Sequence, residues 1–429
     1  MFYENKILNE KIYAEKLPNN LQVFIMKKDG FSKKYAVFAT DYGSNDLEFI
    51  SPHTKKQIRV NEGIAHFLEH KMFEMPDNSN AFDEFSKYGA DANAYTNFNM
   101  TAYLFSATQG FKESLKHLIH YVQTPHFTDE NVEKEKGIIA QEIKMYDDNP
   151  DWQLFFNCLK AMYKTHPNSI DIAGTVESIY KITPQELYDC YNSFYSPSNM
   201  ALFIVGDVDI QETMQIIKDT VKDTNMFEGE ITRIQVQETD ETAQKEIQKE
   251  LEVSIPMFCI GYKEKNDTIN EDYPRIKKDI EMDIINQLIF KKGSKLHDKL
   301  YNSSLIFSQL SANYTSAKDY GYITIEGESK DIENTKNLII EEIENFKKYG
   351  AEKEQFERVK KQKLGSFIKT FDSVESLANI YLSLYFKDEN LLEYYDYLNE
   401  LKIEDINSRL IKMFDKNQMV ISIINPKTA

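Results

Sequence analysis

Two short apolar runs constrain this chain most. Residues 201–209 (ALFIVGDVD) and 418–426 (QMVISIINP) each end one half of the sequence. Each half also opens with strand-like segments, at residues 21–43 and again at 251–265. A short apolar run between turn signals reads as a buried strand. The same element closing both halves implies a duplicated domain. At 429 residues the chain is also too long for one ordinary core. The fold class expected is therefore α+β, as two homologous α/β-layered domains of ~210 residues each. They are expected at residues 1–223 and 251–429. Residues 224–250 are polar and lack a sustained apolar period, so they read as a linker with room for short edge strands.

Within the first half, residues 21–28 and 34–43 read as strands joined around Gly30. Residues 79–88 form a helix with Gly89 at its C′ position. Residues 90–107 (ADANAYTNFNMTAYLFSA) favour strand through alternation and their Thr, Tyr and Phe content. Phe111, Leu115, Leu118, Ile119 and Val122 make a helical stripe that Pro125 stops. Thr183, Pro184 and Glu186 form a capping box with proline at the first helical position. In the second half, helices are expected at 272–291, 331–349, 352–371 and 374–385, and strands near 305–314 and 320–328.

The chemistry concentrates in His66-Phe67-Leu68-Glu69-His70. The surrounding NEGIAHFLEHKMFE reads as a helix, with Ala65, Leu68, Met72 and Phe73 on its packed side. His66 and His70 are four apart, so a helix stacks them on one face. Two imidazoles at that spacing can hold one zinc ion. Glu69 projects near the same face, where a carboxylate can take a proton from an attacking water. This H-x-x-E-H order inverts the H-E-x-x-H zinc motif, in a chain with only 8 histidines.

A second helix carries matching acids. Thr128 is a suitable N-cap, and Asp129 and Glu130 suit the first turn. Val132, Ile139 and Tyr146 lie on one face, and Glu135 and Glu142 fall on that face seven apart. A carboxylate in an apolar stripe is costly unless it is paired or ligates a metal. Gly137, inside this helix, costs about 1 kcal/mol against alanine and is read as a point of close packing.

Other classes are disfavoured. A net charge of -18 repels nucleic acid and anionic membranes. No apolar run approaches the length of a membrane span, and the first residues lack the apolar core of a secretory signal. Cys158, Cys190 and Cys259 have no metal spacing and read as isolated buried thiols, which fits a reducing cytoplasm. His117 and His120 read as structural or exposed.

HFLEH, then GADANAYTNFNMTAYLF, then EKEKGIIAQEIKMYDDNP, in that order and spacing, resemble the insulinase/pitrilysin family of zinc metallopeptidases, which includes the mitochondrial processing peptidases. The resemblance is strongest in the first half. Within the family it points to small bacterial members associated with aminopentanol modification of elongation factor P. It implies two layered halves enclosing a chamber, one Zn2+ per chain, and an endopeptidase acting on peptides or leader sequences held extended. It implies His66, His70 and Glu142 as the zinc ligands and Glu69 as the catalytic base. It implies Glu135 as the acid that orients a ligand histidine, and Asn93 and Ala94 on the strand that pairs with substrate.

One departure bears on partners. Self-sufficient members carry an Arg and a Tyr, six apart, in their second half. The matching stretch here, SKLHDKLYNSSLIFS (residues 294–308), holds Tyr301 and Phe307 at those places. Neither offers a guanidinium fork or, in Phe307, a hydroxyl. The expectation is the catalytic half of a heterodimer with a homologous non-zinc subunit that supplies the Arg/Tyr clamp. The alternatives are a homodimer without the clamp and a non-catalytic scaffold with structural zinc.

Overall fold

The computed structural model describes residues 1–223, 226–227 and 231–427. The chain is α+β and forms two compact units that do not follow a single cut in the sequence. The first comprises Met1–Ile143, Asp171–Gln235 and Lys369–Phe386; the second comprises Lys144–Ile170, Val236–Ile368 and Lys387–Ala429.

The first unit is built on β1 (Phe2–Asn5), β2 (Glu10–Lys16), β3 (Gln22–Lys27), β4 (Lys34–Thr40), β5 (Glu48–Ile50), β6 (Gln57–Arg59), β7 (Asp91–Thr96), β8 (Thr101–Ala107), β9 (Met200–Gly206) and β10 (Thr232–Arg233). Seven of these form one sheet in the order β1-β2-β3-β9-β4-β8-β7, and β10-β5-β6 form a small second sheet. β9 is the apolar run of residues 201–209. It lies parallel to β3 and antiparallel to β4 and is buried along its whole length. A strand covered on both faces has no need of polar alternation. Helix Val374–Tyr385 packs on β9 and β4, where the Tyr381 ring meets Phe203 and Phe24 at centroid distances of 4.7 and 4.9 Å.

Four helices of this unit matter for the site: α1 (Ile64–Lys71), α2 (Ala81–Lys87), α3 (Phe111–Val122) and α4 (Asp129–Asp147). α1 starts where Gly63 has φ +86°, and a Cβ there would meet the Ala173 carbonyl oxygen at 2.3 Å, so only glycine fits. α4 starts at a reciprocal cap: Thr128 Oγ1 accepts from the Asn131 N–H (3.2 Å) and Asn131 Oδ1 accepts from the Thr128 N–H (2.9 Å). The close packing expected at Gly137 is not found. That residue is exposed, and a Cβ there would have nothing within 4 Å.

The second unit repeats the plan. Its strands are β11 (Glu246–Leu251), β12 (Met257–Lys263), β13 (Ser311–Ser316), β14 (Gly321–Glu328) and β15 (Met419–Pro426), in the order β11-β15-β12-β14-β13. β11 and β15 are parallel and every later neighbour is antiparallel. The same sequence of directions runs through β3-β9-β4-β8-β7. β15, the apolar run of residues 418–426, therefore occupies the place of β9. Helix Pro150–Met162, from the first half of the sequence, packs on β12 and β15.

The polar stretch 224–250 contributes edge strands: β10 pairs with β5, and β11 pairs with β15. Residues 224, 225 and 228–230 lie outside the described residues. The strand expected from 305 begins only at Ser311, because Leu305, Ile306 and Leu310 are buried in a loop after helix Lys295–Asn302.

Candidate metal centre

All the candidate groups of the first half lie within the first unit. α1 is amphipathic, with Ala65, Phe67 and Leu68 buried. That packing fixes its roll and turns His66 and His70 to one side, their ring centroids 4.6 Å apart. α4 brings Glu142 to the same place. Its carboxylate oxygens lie 3.6 Å from His66 Nε2 and 3.5 Å from His70 Nε2. One donor atom from each of His66, His70 and Glu142 lies within 4.8 Å of the others, the one such group among the described residues.

Glu135, two turns earlier on α4, takes the other side of His70, with Nδ1 and Oε1 3.1 Å apart. A carboxylate there calls for a proton on Nδ1, and Nε2 is the nitrogen turned toward Glu142. Behind Glu135 sits Lys71, fully buried, with its Nζ 2.6 Å from Glu74 and 3.7 Å from Glu135. Lys71 is a member of the site that pattern reading missed. Its signal was adjacency to the motif, but nothing in the spacing shows that a lysine is buried there. His66 Nδ1 is buried with no hydrogen-bond partner among the described residues, so only one of the two imidazoles is braced by a carboxylate.

The electrostatics suit a cation. Burial, then the charge of His70, pull the His66 pKa down to about 3, so this imidazole is neutral at pH 7 with a lone pair to give. Burial also acts against charge on His70. It is outweighed by the Glu135 hydrogen bond and the charges of Glu69, Glu135 and Glu142, which leave the His70 pKa above its ordinary value. Glu135 is held below the usual carboxylate range although burial opposes this, because its bond to His70 and the charges of His70, Lys71 and Lys134 prevail. Two imidazoles, one carboxylate and an acid bracing one of the imidazoles are the donor set zinc takes in open sites. The residues present fit the ion.

Glu69 is buried at 6 % exposure. Its Oε2 accepts a 2.6 Å hydrogen bond from the Thr96 hydroxyl. Burial raises the Glu69 pKa, with Thr96 and the His70 charge offsetting part of the rise. Thr96 was not singled out from the sequence, where it is one hydroxyl among the strand-favouring residues of TNFNMT. Asn93 and Ala94 lie on β7, which ends the seven-stranded sheet and pairs only with β8 among the described residues. The Ala94 N–H donates to the Asn93 side-chain oxygen at 2.9 Å. Tyr301 and Phe307 belong to the second unit and are 57 % and 49 % exposed. His117 is structural, with its Nε2 2.8 Å from the Ala81 carbonyl oxygen.

Comparison with known proteins gives consistent matches. Residues 58–176 match the family model "Insulinase (Peptidase family M16)", and residues 181–363 match "Peptidase M16 inactive domain". A Bacillus subtilis protein named "Uncharacterized zinc protease YmfH" is 39% identical over 429 residues, 99% of either chain. A second from the same organism, "Uncharacterized zinc protease YmxG", is 24% identical over 384 residues, covering 85% of this chain and 88% of that one. Among solved structures, a putative M16-like peptidase from Alicyclobacillus acidocaldarius superposes with a TM-score of 0.92 at 33% identity, over 99% of this chain and 100% of that one. Among the described residues no helix is long and apolar enough to cross a membrane.

Proposed function

The chain belongs to peptidase family M16, the insulinase family, and from that premise we propose that it is a zinc-dependent endopeptidase subunit. The observation that carries this reading is the convergence of His66, His70 and Glu142 donor atoms within 4.8 Å, beside a buried carboxylate, Glu69, that is not one of them. A structural zinc site is normally closed by four protein ligands. Three ligands plus a separate acid favour catalysis. When bound, zinc supplies a Lewis acid that polarises the peptide carbonyl and makes water a usable nucleophile near neutral pH.

The protein's own groups do the rest. Glu69 takes the proton of the attacking water and returns it to the leaving amine. Its raised pKa suits both steps. Glu135 holds His70 in the tautomer that presents Nε2, with Lys71 fixing Glu135 from behind. β7 receives an extended peptide by strand addition. There an incoming backbone carbonyl replaces the Asn93 side chain as acceptor for the Ala94 N–H. Such pairing reads backbone more than sequence, so peptides and leader segments are the substrate class.

Tyr301 and Phe307, in place of the expected Arg and Tyr, support a heterodimer in which a homologous subunit without the zinc ligands supplies those groups. Three thiols that are all free and buried support a reducing compartment, the cytoplasm, and the net charge of -18 gives no footing for nucleic acid. The test is metal analysis together with cleavage of a quenched fluorescent peptide by wild type and Glu69→Gln, each with and without the homologous subunit. The expected result is about one zinc per chain in both proteins and cleavage only by wild type. Zinc without cleavage under any pairing favours a scaffold with structural zinc, and cleavage by Glu69→Gln removes Glu69 as the base.

A further inference from the structure

A buried glutamate that must accept and return a proton has an orientational problem. The last torsion of a glutamate side chain is broad and roughly two-fold, so packing of the methylenes alone does not decide which oxygen faces the reacting atoms. The Thr96 hydroxyl stands 2.6 Å from Glu69 Oε2. The Thr96 oxygen also lies 3.2 Å from the hydroxyl of Thr101, which itself donates to the Tyr42 carbonyl at 2.9 Å. A hydroxyl has one proton to give. The Thr101 proton is committed to Tyr42, and the single Thr96 proton goes to the nearer acceptor, Glu69, at 2.6 Å against 3.2 Å. Thr96 and Thr101 are the pair that ends the β7–β8 ladder, so the donor sits on sheet backbone and not on a mobile loop.

A second observation comes from the other unit. Its β13–β14 ladder ends in the same way, at Ser316 and Gly321. There the Ser316 hydroxyl donates to Asp279, on helix Arg275–Ile289, at 2.6 Å. A strand-end hydroxyl fixing a helix carboxylate is thus built twice in this chain, once where metal donors are present and once where they are not.

We infer that Thr96 is the positioning residue for Glu69: it ties down Oε2 and so leaves Oε1 as the oxygen that exchanges the proton with water and leaving amine. The inference rests on the peptidase reading of the site. The hydrogen bonds of the Thr96 hydroxyl run to Glu69 and Thr101, so its part in the reaction is played through Glu69.

The test is titration of benzohydroxamic acid, a metal chelator whose acidic proton needs a carboxylate acceptor beside the ion, into the full zinc-loaded chain by calorimetry. Wild type, Thr96→Val, Thr96→Ser and Glu69→Gln are compared, with zinc content and Tm recorded for each. Valine keeps the β-branched shape that suits a strand and replaces the hydroxyl with a methyl that cannot donate. The expected result is binding weakened at least fivefold in Thr96→Val and in Glu69→Gln, restored to within twofold in Thr96→Ser, with zinc content unchanged in all four. Where the chain turns over peptide, kcat falls about 10- to 100-fold in Thr96→Val at unchanged KM. Wild-type affinity in Thr96→Val, equal weakness in Thr96→Ser, or loss of zinc from Thr96→Val overturns the inference while leaving the peptidase reading intact. A zinc-loaded wild type that binds no hydroxamate overturns the peptidase reading itself, and the inference falls with it.

Discussion

Truncating Glu135 to alanine tests the arrangement behind the metal donors. The change removes the acceptor 3.1 Å from His70 Nδ1 and one of two anions beside the buried Lys71, whose nearer partner, Glu74 at 2.6 Å, remains. Losing the group that orients a ligand histidine costs about 10- to 100-fold in metal affinity, or about 1.4 to 2.7 kcal/mol. The upper part of that range is expected, because His66 Nδ1 has no partner among the described residues and Glu135 is then the sole brace on either imidazole. The stability of the metal-free protein should change much less. Lys71 keeps Glu74, and deleting a buried carboxylate also deletes its desolvation cost. Glu135→Gln retains an acceptor of the same reach without the charge, so its affinity should fall between wild type and alanine. Competition with a chromophoric chelator at fixed pH gives the three zinc affinities, and thermal melts of the chelator-treated proteins give the stabilities. Alanine binding zinc within twofold of wild type would refute the idea that Glu135 sets the orientation of His70. A large loss of metal-free stability would instead make Glu135 a partner of Lys71 first and of His70 second.

Two further outcomes follow from other parts of the fold. Gly137→Ala should stabilise the protein by about 0.5–1 kcal/mol, since α4 gains a better helix former and the new Cβ has nothing within 4 Å to strike; a fall in Tm would show that the α4 surface needs the bare backbone. Glu238 has its pKa held down to about 2, against the push of burial, by Lys263 and the backbone N–H groups of Thr165 and His166. Because the folded value lies below the ordinary 4.5, the unfolded chain binds more protons in between, so the stabilisation is whole above that ordinary value and is lost as pH falls toward 2. Tm should therefore drop more steeply with acid in wild type than in Glu238→Gln, with the two converging near the low end; parallel curves would count against the assignment.

Much of the site was legible because helical spacing is rigid. His66, Glu69 and His70 on one helix, and Glu135 and Glu142 on another, need only 3.6 residues per turn to be placed on faces. What joins those faces was not legible. Lys71 looks like the last-turn cation of a short helix until Glu74 and Glu135 are seen around it. Thr96 looks like one more strand residue until the β7–β8 ladder ends on it. Gly137 was misread because a helix-interior glycine carries the same signal whether its missing side chain faces a neighbour or solvent. The exchange of helices was also hidden. Val374–Tyr385 has the apolar face of a buried helix, but that pattern does not say which sheet it covers, and here it covers β4 and β9 of the first unit. The polar run 224–250 lacked periodicity because its strands are edges. In β11 Ile247, Lys249 and Leu251 turn toward burial, and the exposed residues between them, Glu246, Gln248 and Glu250, are polar or charged.

The duplication shows why such a cluster of candidate donors occurs once among the described residues. In the second unit Asp279 receives the Ser316 hydroxyl as Glu69 receives Thr96. Three residues before Asp279 is Ile276 and one after it is Ile280, the places that His66 and His70 hold around Glu69. Both isoleucines are at 1 % exposure, so they fill core where imidazole nitrogens would otherwise meet. The second hydroxyl of the chain is gone as well. Gly321 stands in the place of Thr101, and a Cβ there would meet a Glu264 carboxylate oxygen at 1.9 Å. Glu264 is itself buried near Lys278 at 3.5 Å and Arg409 at 3.8 Å, and Asp279 has Lys387 at 3.8 Å. In the second unit, then, lysine and arginine stand against the acids of the same scaffold, whereas in the first Glu142 stands against two imidazoles. The layered fold supplies the frame in both units. Whether that frame presents a cluster of donor atoms turns on two side chains four apart on one helix.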